Sequence, residues 1–418
     1  MIPVRILVPP RSTPMTRFPS KARGYPTPSM ATGEKPYRVY RGGRVKGRVP
    51  LERPQTRPDR NGREPRQPKV RRPRRRWSWK RRIGIILLVL LVLIIVWGIA
   101  GYLSFRSGVR KANARLDPSV PAVLAKQNGL LLSNPSTLLL LGRDHENTDQ
   151  RVGLNHSDSI MILRTDPSRH RLVYLSIPRD LRVPIPGYGE DRINTAFPRG
   201  GAALAVRTIQ NFTGLRINHV LIVDFRSFTH LIDNIGGIDI VVPEPILSNK
   251  FDCPYKAAGC ARWKGYRFRP GLQHMNGRRA LIYSRIRENQ LNPAESDITR
   301  GERQQAVVRA VMHKLLGFST AFKLPFNGDS LLTPLTTDLT AWQLIQLGWV
   351  MKRAGQKNAL HCRLGGTSTS IGGASVIVGT EQNLSVIQMV TGRSAVQPPL
   401  PGSGPYGPGC VIGSQQFR

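Results

Sequence analysis

Residues 83–103, IGIILLVLLVLIIVWGIAGYL, run for 21 residues without a charge. As a helix, that length crosses a hydrocarbon core of about 30 Å. The run therefore splits the chain into two parts that face different solvents. Arg71, Arg72, Arg74, Arg75, Arg76, Lys80, Arg81 and Arg82 crowd its N-terminal side, and only Arg106, Arg110 and Lys111 follow it closely. Cations are retained on the cytoplasmic face, so this step predicts a single-pass protein with a cytoplasmic N-terminus and an extracytoplasmic remainder. Trp77, Trp79, Trp97 and Tyr102 stand where interfacial anchors stand. A cleaved signal peptide is a poor fit, because the segment before the run is far too long. A buried core helix is the plainer alternative, and it leaves the charge step without a reason.

Charge is just as unevenly spread. The formal net charge is +38; residues 1–82 hold 25 Lys/Arg against 4 Asp/Glu, so +21 lies there and +17 in the rest. This segment is rich in Pro and Gly and poor in aliphatic runs, so it cannot bury enough apolar surface to offset its ordering entropy. It is expected to be a disordered basic cytoplasmic tail. A polycation binds nucleic acid or anionic head groups. Beside a membrane span the second needs nothing more, and the tail has no helix-turn-helix pattern. Membrane lipids are therefore the expected partner, and nucleic acid is not.

Beyond the span (83–103), residues 104–135 read as a polar stalk. STLLLLG at 136–142 is a short buried strand. Residues 159–164 and 172–177 form a hairpin about the turn Asp166-Pro167-Ser168. Segments 201–212, 227–235, 299–316 and 338–354 have a helical period, and Thr299 and Glu302 are spaced as a capping box. Segments 219–223 and 238–242 read as strands, 280–287 as a strand or helix–strand junction, 357–392 as further β structure, and 395–418 as a Pro/Gly-rich tail. The alternation predicts an α/β fold: one three-layer α/β/α domain over 136–394 with a central mixed sheet. Cys253, Cys260, Cys362 and Cys410 are expected to be oxidised outside the cytoplasm. Cys253 and Cys260 bracket a short loop that lets them pair locally, which leaves Cys362 for Cys410. Four cysteines allow three connectivities, and no CxxC points to zinc.

Residues 283–304, YSRIRENQLNPAESDITRGERQ, carry the densest chemistry. On a strand, Arg285 and Arg287 share a face. On a helix, Arg300, Arg303 and Gln304 do the same. Four guanidiniums and an amide then converge, and they repel unless a polyanion lies between them. The guanidinium fork matches phosphate oxygens, so the cluster reads as a phosphate or pyrophosphate clamp. The plainer reading is a solvated basic edge. Upstream, Asp144, Asp158 and the Arg179-Asp180 pair sit at strand ends, with Arg192 soon after; strand ends are where open α/β sheets collect ligands. Asp144 and Asp158 together suit a hard cation, because magnesium takes one or two carboxylates plus phosphate oxygens. Each also has a local alternative: Asp144 as a turn former, Asp158 bonding its own backbone, Asp180 pairing with Arg179 or Arg182, Asp297 as a helix N-cap.

These segments, in order, resemble the LytR-CpsA-Psr family of bacterial cell-envelope proteins. The matching motifs are LLLLGRD (138–144), SDSIMIL (157–163), LSIPRDLRVPIPG (175–187), RINTAFPRGG (192–201), VDF with LIDNIGGIDI (223–240), QHMNGR (273–278), the stretch AL to YSRIR (280–287) and DITRGERQQ (297–305). The resemblance implies a membrane-anchored phosphotransferase of the bacterial cytoplasmic membrane. Such a protein moves a glycan phosphate from a polyprenyl pyrophosphate carrier to a hydroxyl of peptidoglycan or another envelope acceptor. It further implies that Asp144 and Asp158 bind magnesium or manganese, and that Arg179, Arg192, Arg285, Arg287, Arg300 and Gln304 contact pyrophosphate. Asp144, Asp158, Arg179, Arg285 and Arg287 would be the catalytic set. Two departures stand out. Glu146 replaces an arginine the family often has, and Arg192 stands where a lysine is common. Two competing functions share the same residues or tail: hydrolysis of the same carrier, and membrane-bound regulation through the basic tail. The helix faces at 202–212, 227–235 and 304–316 are candidates to wall a lipid groove.

Overall fold

In a computed structural model of the chain, which describes residues 78–143, 157–292, 297–332, 335–355, 358–403 and 407–413, the apolar run is part of a longer helix. Helix α1 (Trp79–Asn113) starts among the cations Lys80, Arg81 and Arg82 and continues ten residues past the run. Its most apolar window makes no buried contact with protein. Further on, Gly101, Gly108, Val109 and Ala112 are buried. The expected stalk is therefore no free spacer: Val109, Val120 and Leu131 belong to the cores below. Of the expected basic tail (1–82), residues 1–77 lie outside the described residues, and 79–82 begin α1.

The chain then runs through β1 (Ser136–Arg143), β2 (Ser157–Asp166), β3 (Arg171–Ile177), β4 (Leu181–Ile185), β5 (Gly189–Arg192), α2 (Ala196–Thr213), β6 (His219–Asp224), α3 (Phe225–Asn234) and β7 (Ile238–Val242). It continues with β8 (Ile246–Leu247), α4 (Ala257–Arg262), β9 (Arg267–Phe268), β10 (Gly271–Met275), α5 (Gly277–Arg285), α6 (Asp297–Leu315), α7 (Phe318–Leu332), β11 (Leu335–Thr337), α8 (Ala341–Ala354), β12 (Leu360–Arg363), β13 (Gly366–Ile371), β14 (Ala374–Gly379), α9 (Gln382–Thr391) and β15 (Gly409–Ile412). The central sheet has seven strands in the order β11-β6-β1-β2-β3-β12-β15. It is mixed: β1 pairs parallel with β6 and antiparallel with β2, and β3 pairs antiparallel with β2 and parallel with β12.

Alternation along the strands makes the three layers. Leu139, Leu141, Ile160, Ile162, Val173 and Leu175 point to one face, where Ala205, Val206 and Ile209 of α2 and Val386 and Met389 of α9 cover them. Leu138, Met161, Leu163, Leu172 and Tyr174 point to the other, under Leu347 and Met351 of α8 and Val308 and Met312 of α6. Strands buried on both faces read as unbroken apolar runs, which is why LLLL in β1 shows no period of two. A third cluster joins α3, α5, α6, α7 and the antiparallel pair β7–β10.

Several expectations need correcting. Of the two readings of 280–287, the strand fails and the helix–strand junction holds: α5, capped by Asn276 accepting from the Arg279 amide at 2.9 Å, runs to Arg285, and Ile286 is extended. Helix α6 starts at Asp297, so Thr299 lies inside it and not at its N-cap, and Glu302 pairs with Arg363 at 3.3 Å. The 357–392 stretch ends in helix α9. The Pro/Gly-rich tail returns to the domain, where β15 adds an edge strand to β12. A Cys362–Cys410 disulfide fastens that strand, and Cys253–Cys260 closes the short loop.

Candidate active site

The C-terminal ends of β1, β3 and β6 and the start of β2 meet at one sheet edge, as the pairs Gly142–Ser159, Gly142–Val223 and Ile160–Ile177 show. A cavity of about 630 Å³ opens there. Gly301 lets α6 approach the sheet: a Cβ on it would lie 2.5 Å from the Ser176 hydroxyl. That approach brings the first turns of α6 over the strand ends.

Five arginines line the cavity: Arg179 after β3, Arg192 at the end of β5, Arg285 at the end of α5, Arg287 just after it, and Arg300 on α6. The expected convergence holds, by a different backbone route for one pair. Arg285 ends the helix, Ile286 is extended (φ −60°, ψ 125°), and Arg287 follows. One extended residue places its two neighbours on the same side, as a strand would. Arg303 is the exception. It is buried, and its Nη2 donates to the Ile286 carbonyl at 2.6 Å. Arg303 therefore braces the corner that presents Arg285 and Arg287 and does not line the cavity. Gln304 lines it, and its amide is already engaged, accepting from the Ser159 hydroxyl at 2.8 Å.

Like charges this close need partners, and of the three aspartates on the lining, Asp180 and Asp252 supply them to three of the five arginines. Asp180 lies 3.3 Å from Arg179 and 3.7 Å from Arg192, so it brackets two arginines from different strands. Asp252 pairs with Arg285, whose guanidinium sits 4.6 Å over the Phe225 ring and 5.6 Å from Phe251. Asp224 lies 4.0 Å from Arg143 and caps α3 by accepting from the Ser227 amide at 2.7 Å.

The lining changes character inward. Along α6 it passes from Arg300 and Gln304 to Val307 and Val308, and along the sheet from Gly142 and Ser159 to Leu140 and Met161. Phe228 of α3 and Leu281 of α5 add to the apolar part. Of the three helix faces expected as candidate walls, α3 and α6 do line the cavity. Helix α2 covers the opposite face of the sheet.

Asp144 lies outside the described residues. Asp158 is in β2, but its side chain lies outside them. Its strand position is informative: the β1–β2 register shifts between Gly142 and Arg143, next to Ser157 and Ser159. Among the described residues, no three His, Cys, Asp or Glu side chains converge as a metal would need.

The LytR_cpsA_psr family model matches residues 102–391. The chain belongs to this family. A LytR-CpsA-Psr relative, the polyisoprenyl-teichoic acid–peptidoglycan teichoic acid transferase TagV of Bacillus subtilis (strain 168), is 30% identical over 251 residues, covering 57% of this chain and 59% of TagV. The chain thus spans about three fifths of that relative's length. The transferase TagU of Halalkalibacterium halodurans is 29% identical over 315 residues, covering 73% of this chain and 94% of TagU. Among solved structures, TagT bound to LIIa-WTA matches with a TM-score of 0.51 and 24% identity, covering 68% of this chain and 98% of that one. That likeness carries the LytR-CpsA-Psr fold.

Sequence reasoning missed several lining residues. Lys250, Phe251 and Asp252 come from the loop ahead of Cys253, which matched no family motif. Asp252 has φ +45°, a left-handed backbone that Asp tolerates better than most residues. Asn194 is 4% exposed, and among the described residues its Oδ1 accepts no hydrogen bond. Only its place two residues after Arg192 hinted at a role.

Proposed function

We propose that this chain is a membrane-anchored phosphotransferase. It takes a glycan phosphate from a polyprenyl pyrophosphate carrier and joins it to a hydroxyl of peptidoglycan or another envelope acceptor. One observation carries the reading: a single cavity joins a rim of five arginines to an apolar interior. That polarity matches a ligand with a pyrophosphate head and a prenyl tail. The transferase names of the relatives agree with it. The charge step across α1 supports a cytoplasmic N-terminus and a domain from residue 104 onward outside the membrane.

The acceptor oxygen attacks the phosphorus that bears the glycan. The bond from that phosphorus to the bridging oxygen breaks, polyprenyl phosphate leaves, and the hydroxyl proton passes to solvent or a nearby base. Such transfer needs positioning and charge neutralisation more than a protein nucleophile. Arg179, Arg192, Arg285, Arg287 and Arg300 are placed to hold the phosphates and offset charge on the leaving group. Asp180 and Asp252 keep three of these guanidiniums fixed before the donor arrives. Asp144 and Asp158 would hold a magnesium ion, which when bound would offset further phosphate charge.

The test uses the full chain in detergent with a polyprenyl-pyrophosphate glycan and peptidoglycan, reading released polyprenyl phosphate with and without magnesium. Arg285→Ala is expected to lower the rate by about 10²–10³-fold. An unchanged rate would sink the assignment. Release without glycan on peptidoglycan would mean water is the acceptor. Deleting residues 1–70 should leave transfer largely intact, whereas a regulator acting through the tail would lose its function.

A further inference from the structure

We propose that α7 is a second membrane element, seated in the outer leaflet beside α1. The proposal rests on α1 spanning the membrane. Four contacts set the register of the two helices. Trp97 meets Phe322 with ring centroids 5.2 Å apart, and Gly101 lies against Leu324 and Pro325. The Ser104 hydroxyl accepts from the Asp329 amide at 3.1 Å, and Lys111 pairs with Asp329. Both residue numbers rise together, so the helices run parallel. Glycines make the approach possible: a Cβ on Gly108 would lie 2.7 Å from the Asp329 carbonyl oxygen, and one on Gly328 would lie 2.8 Å from the Phe105 nitrogen. Small residues of this kind let helices pack closely in a bilayer.

The register decides the depth. Trp97 lies six residues inside the outer end of the apolar run at Leu103, about 9 Å along the helix. The first half of α7 therefore lies level with the outer end of the span. Contacts between the helices are apolar at Trp97 and Gly101 and polar from Ser104 outward, as expected where the bilayer gives way to water. Phe322 and Phe326 stand four residues apart, 56% and 78% exposed. Phe322, against Trp97, thus lies within the hydrocarbon, and Phe326, one residue past the Pro325 that meets Gly101, lies nearer the head groups. Exposed Lys323 between them suits anionic head groups. The far end of α7 contributes Leu331 and Leu332 to the core that holds Tyr283 and Ile286. Seating α7 thus sets the height of the arginine corner above the leaflet.

The test places a single environment-sensitive fluorophore on the full chain, whose native cysteines are paired, at Phe326→Cys, Leu90→Cys or Tyr188→Cys. Each variant is reconstituted in vesicles of phosphatidylethanolamine and phosphatidylglycerol carrying spin-labelled lipid. Emission loss is expected at Leu90 and Phe326, shallower at Phe326, and none at Tyr188. Loss at Leu90 but not at Phe326 overturns the α7 proposal and leaves the span standing. No loss at Leu90 overturns the span, and the α7 proposal with it.

Discussion

Asp180 and Asp252 show how a crowd of arginines is held ready. Asp252 did not stand out in the sequence, and Asp180 did so only as a local partner of Arg179 or Arg182, yet each fixes guanidiniums that line the cavity. Asp180→Asn removes the charge between Arg179 and Arg192 with little change of shape. It is expected to lower kcat/KM about tenfold, roughly 1.4 kcal/mol, mostly through KM for the donor. Asn194→Ala is expected to cost transfer without loss of thermal stability, since its buried Oδ1 has no described protein partner to lose. His361 predicts an acid sensitivity away from the cavity. It stacks on Tyr174 at 5.2 Å, and burial, helped by the Arg309 guanidinium, lowers its pKa to about 3. The unfolded chain takes up that proton first. Stability is therefore full above about pH 6.5 and falls by up to about 1.4 kcal/mol per unit as pH drops toward 3. His361→Gln should flatten that part of a stability-versus-pH series; an unchanged slope would contradict the neutral imidazole.

At the scale of elements, the α5 corner carries the largest difference between expectation and structure. A period of two at Arg285 and Arg287 reads as a strand, but the same geometry arises where a helix ends and one residue extends. Arg303 then holds the corner through the Ile286 carbonyl. Arg303→Ala is expected to destabilise the domain by about 1.5–3 kcal/mol, the range for a lost hydrogen bond to a charged group. Denaturant melts would show it, and a change below about 0.5 kcal/mol would argue against the brace. Strand β15 is held to β12 partly by Cys362–Cys410, 48 residues apart. Replacing both cysteines with serine is expected to cost about 4 kcal/mol by loop-closure entropy. Reduction of the wild type, which also opens Cys253–Cys260, should cost at least as much.

For the whole molecule, α1 runs from the apolar segment into the domain without a break. Val109 and Ala112 lie in domain cores or against them, 3% and 1% exposed. A fragment starting at residue 114 is therefore expected to be less stable than one starting at residue 79, by about 2–4 kcal/mol in detergent melts. Equal stability would show that the buried end of α1 contributes nothing. The division of labour between sequence and tertiary structure follows from range. Local signals were sufficient for what local physics decides. The uncharged run marked a helix long enough to cross a membrane, the apolar runs of β1 to β3 and the period of α6 marked the layers, and the arginine-rich segment marked side chains that line the cavity. The route by which Arg285 and Arg287 converge, the removal of Arg303 to a bracing role, the arrival of Asp252 from a loop without a motif, and the return of the Pro/Gly tail as β15 all depend on contacts between segments far apart in the chain. No window of sequence contains both partners of such a contact, so only packing could decide them.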